Sequence, residues 1–242
     1  KIQKILSVDK LPEINSLEDP FHREMLESIS SIAYIQKNNG PMGCHRYIIS
    51  NNQSVLHVLE VYQLNKLLLA NGGDLFLDIV PLFETIDDLA AAHSVMSSLY
   101  NNKTYRDHLR KRGNKQSIML GFSDGTKDGG YIRANWSILR AKEELTKVAR
   151  EEGIDVVFFD GRGGPPARGG GNTHNFYASL GPNVENREIQ ITIQGQTISA
   201  NYGKPVSCSY NLEQLLSAGM ESHLYPSSEN SLTDKQKSLI DE

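Results

Sequence analysis

From Glu18 to Gln36, Phe21, Met25, Ile29 and Ile32 recur at helical spacing with charged residues between them, which predicts an amphipathic helix. Asn38-Asn39-Gly40-Pro41 breaks that pattern before Arg46-Tyr47-Ile48-Ile49-Ser50, a short strand. Gln53 to Ala70 returns to helix: Val55, Leu59, Tyr62 and Lys66 share a face, Leu56, Val58, Leu64 and Leu67 widen the apolar surface, and Asn71-Gly72-Gly73 ends it. Leu75 to Phe83 is a dense apolar strand tipped by Glu84, and Thr85 and Asp88 bracket the start of a helix through Tyr100.

Ser117 to Phe122 repeats this arrangement, followed by Ser123-Asp124-Gly125-Thr126-Lys127-Asp128-Gly129-Gly130 and a helix through Glu152. Val156 to Phe159 repeats it again. A buried strand with a charged or glycine-rich carboxyl end, then a crossover helix, is the logic of a parallel α/β sheet or barrel. The irregular period gives no sign of tandem duplication. Ile189, Ile191 and Ile193 alternate within Glu188 to Ser199 as a further strand, with Gln194 and Gln196 at its polar end. Leu212 to Met220 is weakly helical, and Leu232 to Leu239 is a short peripheral helix in a polar ending. The expected organisation is an amino-terminal helical segment at 1–40, a partial parallel (β/α) barrel at 41–220 and a polar tail or helix at 221–242.

The chain has 242 residues, 38% hydrophobic and 22% charged, enough to bury a substantial core. Lys plus Arg number 25 against 29 Asp plus Glu, and a net charge of −4 gives no bulk reason to expect nucleic acid or an acidic membrane as partner. The basic run Arg106, Arg110, Lys111 and Arg112 is interrupted by Asp107 and reads as a solvated helix end. Two cysteines, Cys44 and Cys208, fit a reducing, cytoplasmic address. No apolar run reaches membrane-spanning length, and no secretory signal opens the chain. It begins at Lys1 rather than Met, so processing, missing residues or excision from a larger protein is expected.

Glu84 and Asp124 both sit at carboxyl ends of buried strands, so 40 intervening residues still bring their oxygens to one mouth. Two carboxylates suffice for Mg²⁺ or Mn²⁺ when substrate and water complete the shell; helix capping is the competing role for both. Gly125-Thr126-Lys127-Asp128-Gly129-Gly130 reads equally as a mobile phosphate-contacting loop, with Lys127 supplying charge, or as a solvated turn. It lacks the Gly-Lys-Ser/Thr ending of a mononucleotide phosphate loop. In Asp160-Gly161-Arg162-Gly163-Gly164-Pro165-Pro166-Ala167-Arg168-Gly169-Gly170-Gly171, two arginine forks six residues apart can converge on one small anion; a basic surface turn or an RNA-binding Arg-Gly segment is the alternative. The seven histidines form neither metal-ligand spacing nor a nucleophilic triad, and His174 and Trp136 read as capping and packing residues.

Val80-Pro81-Leu82-Phe83-Glu84-Thr85-Ile86-Asp87-Asp88-Leu89, then Met119 to Gly130, Phe159 to Gly171 and the weaker Gln194-Gly195-Gln196-Thr197-Ile198 together resemble a segment of phosphoenolpyruvate carboxylase over approximately Cys44 to Met220. The resemblance implies a lyase that joins phosphoenolpyruvate to bicarbonate, giving oxaloacetate and phosphate and replenishing the tricarboxylic acid cycle. It further implies a TIM-type barrel inside a larger, mainly helical enzyme, Mg²⁺ or Mn²⁺ as cofactor, and a homo-oligomeric parent, of which this piece alone is inactive. By correspondence, Glu84 and Asp124 are metal ligands, Arg168 clamps bicarbonate and carboxyphosphate, Arg162 stabilises a second anionic group, and Lys127 organises the phosphate. Leu82 and Met119 line an apolar pocket for carbon dioxide. Another metal-dependent phosphoryl-transfer enzyme and a non-catalytic phosphate-binding module are the competing readings.

Two positions depart from the family pattern. Asp160 stands where a histidine is common, and an ion pair with Arg162 is expected for it. Ser199 and its neighbours lack the basic residue expected near the glutamine-glycine motif, which leaves feedback inhibition by aspartate or malate without its expected group.

Overall fold

A computed structural model of the chain describes residues 1–70, 73–165, 170–193, 195–224 and 232–241, excluding the side chains of Gln196, Ser222, His223 and Asp234. Five strands, β1 (Arg46–Ile49), β2 (Asp78–Phe83), β3 (Lys115–Gly121), β4 (Asp155–Gly161) and β5 (Ile189–Ile191), lie side by side in chain order, every neighbouring pair parallel. Such an order never doubles back, unlike a doubly wound sheet.

The helices are α1 (Ile2–Leu6), α2 (Pro20–Asn39), α3 (Val55–Leu69), α4 (Ile86–Tyr100), α5 (Lys103–Lys111), α6 (Phe122–Glu151), α7 (Thr173–Ala178), α8 (Gly195–Thr197), α9 (Pro205–Leu224) and α10 (Asp234–Asp241). Parallel strands need long crossovers, which α3, α4 with α5, α6, and α7 provide in turn. Alternation sends Ile79, Phe83, Ile118, Leu120, Val156 and Phe158 into the core shared with these helices. The intervening Leu82, Met119 and Phe159 belong to the opposite face.

Boundaries move from the expected ones for identifiable reasons. Leu75 and Leu77 are buried, yet β2 starts only at Asp78, because β1 begins at Arg46 and offers no ladder partner earlier. The last strand is cut to three residues: it pairs with Phe158 to Asp160 only, and β4 itself ends one residue later, at Gly161. The chain is helical again from Gly195. The glycine-rich segment after β3 is neither the expected mobile loop nor a solvated turn: it is the first part of α6, Phe122 to Gly129, and the helix breaks at Gly130 (φ 78°, ψ 168°). Weak periodicity at 212–220 becomes the 20-residue α9, with Val206, Tyr210, Leu216 and Met220 exposed.

Every cation of the basic run has a carboxylate partner: Arg106 with Glu152, Arg110 with Asp107, Lys111 with Asp74 and Arg112 with Asp78. This removes the free positive stripe a phosphate backbone would need. No helix among the described residues is long and apolar enough to cross a membrane.

Against the outer side of β2 and β3, Tyr62, Tyr105 and His108 form an aromatic cluster with ring centroids 5.1 to 5.8 Å apart. The Tyr105 hydroxyl donates to Gln116 Oε1 at 2.9 Å, and Gln116 Nε2 donates to the Ile79 carbonyl at 2.9 Å, tying α5 to both strands. Burial pulls His108 down to about 4, with the Asp78 carboxylate opposing. A histidine held neutral in the fold but protonated near its ordinary value when unfolded contributes stability that is whole above about pH 6.5. That contribution drains away as pH falls toward about 4. Urea midpoints should therefore drop between pH 7 and pH 5, and His108→Phe should flatten that drop.

Candidate active site

All strands run the same way, so the residues leaving β2, β3 and β4 gather along one edge of the sheet. Leu82 stands opposite Met119 and Phe83 opposite Leu120, which brings Glu84 level with Gly121. The closeness is direct: a Cβ on Gly121 would lie 3.1 Å from Glu84 Cα and 3.2 Å from its Cγ, and one on Gly125 would lie 3.4 Å from the Glu84 carbonyl oxygen. Glu84 thus rests on a shelf of two glycines, and Asp124 projects from the same turn. Glu84 Oε2 accepts the Asn51 backbone N–H at 2.9 Å, presented because Asn51 adopts a left-handed φ of 51° just after β1.

Thr85 and Asp88 form a reciprocal capping box at the start of α4, so neighbours of Glu84, not Glu84 itself, close that helix end. Asp128 Oδ2 accepts the Ile86 N–H at 3.0 Å, reaching across from α6. Lys127 pairs with Asp124 at 2.7 Å. Asn52 is fully buried with neither amide atom hydrogen-bonded, a feature that nothing in the residue pattern announces.

At the end of β4, Arg162 is 91% buried, its guanidinium stacked on Phe176 at 4.7 Å. Its Nη2 donates to the Asn172 carbonyl at 3.4 Å and its Nε is without a partner. Burial lowers its pKa, opposed by the phenols of Tyr177 and Tyr131 and by the Asp160 carboxylate. Arg162, Gly171, Thr173 and Tyr177 border a cavity of about 70 Å³, sized for a small anion. Tyr131, just past the break in α6, donates its hydroxyl to the Gly170 carbonyl at 3.2 Å. Arg168 lies outside the described residues.

The expected Asp160–Arg162 ion pair is not formed. Asp160, fully buried, instead meets the equally buried Lys142, with Nζ 2.8 Å from Oδ1 and 2.9 Å from Oδ2, and accepts the Tyr177 hydroxyl at 2.8 Å. Only the Oδ2 approach has hydrogen-bond direction, so Oδ1 is left without a hydrogen bond. Lys142 was hidden from sequence reasoning because a lysine in an amphipathic helix reads as solvated. His174 faces Glu221 at 3.3 Å, and Trp136 is buried with Nε1 donating to Asp241.

Among the described residues no group of three or more His, Cys, Asp and Glu side chains is assembled for a metal ion. Glu84, over glycines that leave room for it, and Asp124 offer hard carboxylate oxygens just past neighbouring strand ends, which fits a Mg²⁺-type ion that takes most of its ligands from water and substrate.

A family model described as phosphoenolpyruvate carboxylase matches residues 9–242. The chain belongs to the phosphoenolpyruvate carboxylase family. It is similar to the phosphoenolpyruvate carboxylases of Nitrosomonas eutropha (39% identical, covering 88% of this chain and 24% of that protein) and Corynebacterium glutamicum (38%, 95% and 24%). That of Mycobacterium leprae is 41% identical, over 84% of this chain and 22% of its own length. The chain thus spans about a quarter of the length of the curated relatives it matches. The relatives are enzymes by name, and the phosphoenolpyruvate carboxylase family generally needs a divalent metal.

Gly161 marks how closely β3 and β4 approach here: a Cβ on it would lie 2.9 Å from the Leu120 carbonyl oxygen and 3.3 Å from Met119 Cε. Gly161→Ala should cost about 1–3 kcal/mol in urea unfolding, whereas Gly43→Ala, with nothing within 4 Å, should stay within about 0.5 kcal/mol.

Proposed function

We propose that the longer protein carrying this chain makes oxaloacetate and phosphate from phosphoenolpyruvate and bicarbonate, and that residues 41–220 form the core of its reaction centre. The observation that supports this most is spatial. Three sequence segments carrying the family resemblance deliver Glu84, Asp124 and Arg162 to the carboxyl edge of three adjacent parallel strands. Five strands in unreversed order also suit a larger parallel barrel, whose further strands would pair with the open sides of β1 and β5 and cover the exposed apolar residues of α9.

In the proposed reaction, a bicarbonate oxygen attacks phosphorus, giving carboxyphosphate and the enolate of pyruvate. Arg162, stacked and mostly desolvated, holds negative oxygens more strongly than a solvated arginine could. Arg168 is assigned the carboxyphosphate end. Lys127, whose Nζ pairs with Asp124 at 2.7 Å on an exposed stem, would release that carboxylate to turn toward an incoming phosphate. Carboxyphosphate then releases carbon dioxide beside the enolate, where carbon–carbon bond formation completes oxaloacetate. Leu82 and Met119, opposite one another on the face away from the helix-packed core, are assigned the apolar wall that retains carbon dioxide against loss to water. Glu84 and Asp124 would hold Mg²⁺ or Mn²⁺. Such an ion supplies positive charge to the enolate oxygen. A cytoplasmic, homo-oligomeric parent completes the reading.

The test is bicarbonate-dependent oxaloacetate production by the complete protein; its absence would reject the assignment. Arg162→Ala should lower kcat/KM by about 10²–10³. Arg168→Ala should release phosphate in excess of oxaloacetate, and equal yields would remove Arg168 from the role given to it. Glu84→Gln and Asp124→Asn should each abolish metal-stimulated turnover while circular dichroism shows an unchanged fold.

A further inference from the structure

Asp160 and Arg162 are two residues apart at the end of β4, so alternation turns both toward the helix layer. A buried carboxylate in that place needs a cation, and the nearest in sequence is the arginine on which anion binding would depend. A guanidinium closed on Asp160 would be neutralised before any substrate reached it. The fold supplies another cation from a separate element: Lys142, in the middle of α6, is fully buried and lies within 2.9 Å of both carboxylate oxygens. Tyr177, from α7, completes the grip by donating its hydroxyl to Oδ2 at 2.8 Å. Phe176, next to it, has Lys142 Nζ 5.4 Å and the Arg162 guanidinium 4.7 Å from its ring centroid. One short helix therefore touches the acid and both cations, while Arg162 borders the cavity.

We infer that Lys142 is the counter-ion that keeps Asp160 from capturing Arg162, and that Lys142, Asp160 and Tyr177 together are positioning residues that leave the Arg162 guanidinium open to a small anion. The acid and the lysine are then a matched set. Removing the lysine alone leaves a buried negative charge whose remaining nearby cation is Arg162. Removing both charges leaves Arg162 where it was. This rests on the function proposed above only in naming phosphoenolpyruvate as the anion.

The test is a cycle of Lys142→Met, Asp160→Asn and the double variant in the complete protein, reading KM and kcat. Lys142→Met should raise KM for phosphoenolpyruvate about tenfold, and adding Asp160→Asn should bring it back to within about threefold of wild type. A merely structural ion pair predicts otherwise: losses that add in the double variant, or a lowered Tm with KM unchanged, and either result overturns the inference. Should Lys142→Met fail to fold, Lys142→Gln replaces it, and the double variant still decides, because a tenfold higher KM there contradicts a role confined to charge compensation. If the wild-type protein makes no oxaloacetate, the proposed function fails by itself. Crystal structures of the lysine variants then judge the inference: Arg162 moved onto Asp160 supports it, and Arg162 still stacked on Phe176 overturns it.

Discussion

Parallel pairing is the constraint from which the rest of this structure follows. Because each strand must return to the same starting edge before the next can pair, a helix is forced between every two strands, and every strand exit is delivered to one side. Glu84, Asp124 and Arg162 are far apart in sequence and owe their common edge to that rule alone. The close approach of the backbones there is then permitted by glycine: Gly121 beneath Glu84 and Gly161 beside the Leu120 carbonyl. Side-chain chemistry is thus placed by backbone geometry, and each side chain needs only local fixing, such as the Asn51 N–H on Glu84 or the Phe176 ring on Arg162.

The elements whose hydrophobic period is strong were readable in advance. The strands ending at Phe83 and Gly121 and the helix reaching Glu151 follow directly from dense apolar runs and flanking caps. What could not be read was whatever depended on a partner: the late start of β2, the truncated β5, and the helical state of Ser123 to Gly129, where five polar or charged residues and two glycines hide a helical arm held by contacts with Glu84 and Ile86. Glu84, Asp124, Lys127, Arg162 and Arg168 stood out by residue type at strand ends and in glycine-rich segments, and Leu82 and Met119 by motif resemblance, but the environments of these residues were not legible. Asp160 looked like a partner for Arg162 because both lie on one strand end, and only the fold shows that a lysine 18 residues earlier takes the acid instead.

Charge is handled differently at the two ends of the strands. At the outer helix end, Arg106, Arg110, Lys111 and Arg112 are neutralised one by one by acids, at surface or half-buried positions where each pair adds little to stability. Around the end of β4 the same two kinds of charge are buried, so pairing is obligatory and the choice of partner has chemical consequences. Tyr177 shows the strength of that environment: burial and the neighbouring Asp160 push its phenol well above its ordinary range, so it serves only as a hydrogen-bond donor to the acid.

The broken helix α6 has a mechanical consequence. Its short first arm is anchored at one end by continuity with β3 and at the other by the Asp128 carboxylate on the Ile86 amide, while Gly130 turns the long shaft away in a new direction. An arm pinned at both ends behaves as a bracket rather than a flap. Any adjustment of Lys127 is consequently confined to rotation of its own flexible stem, a motion of nanoseconds.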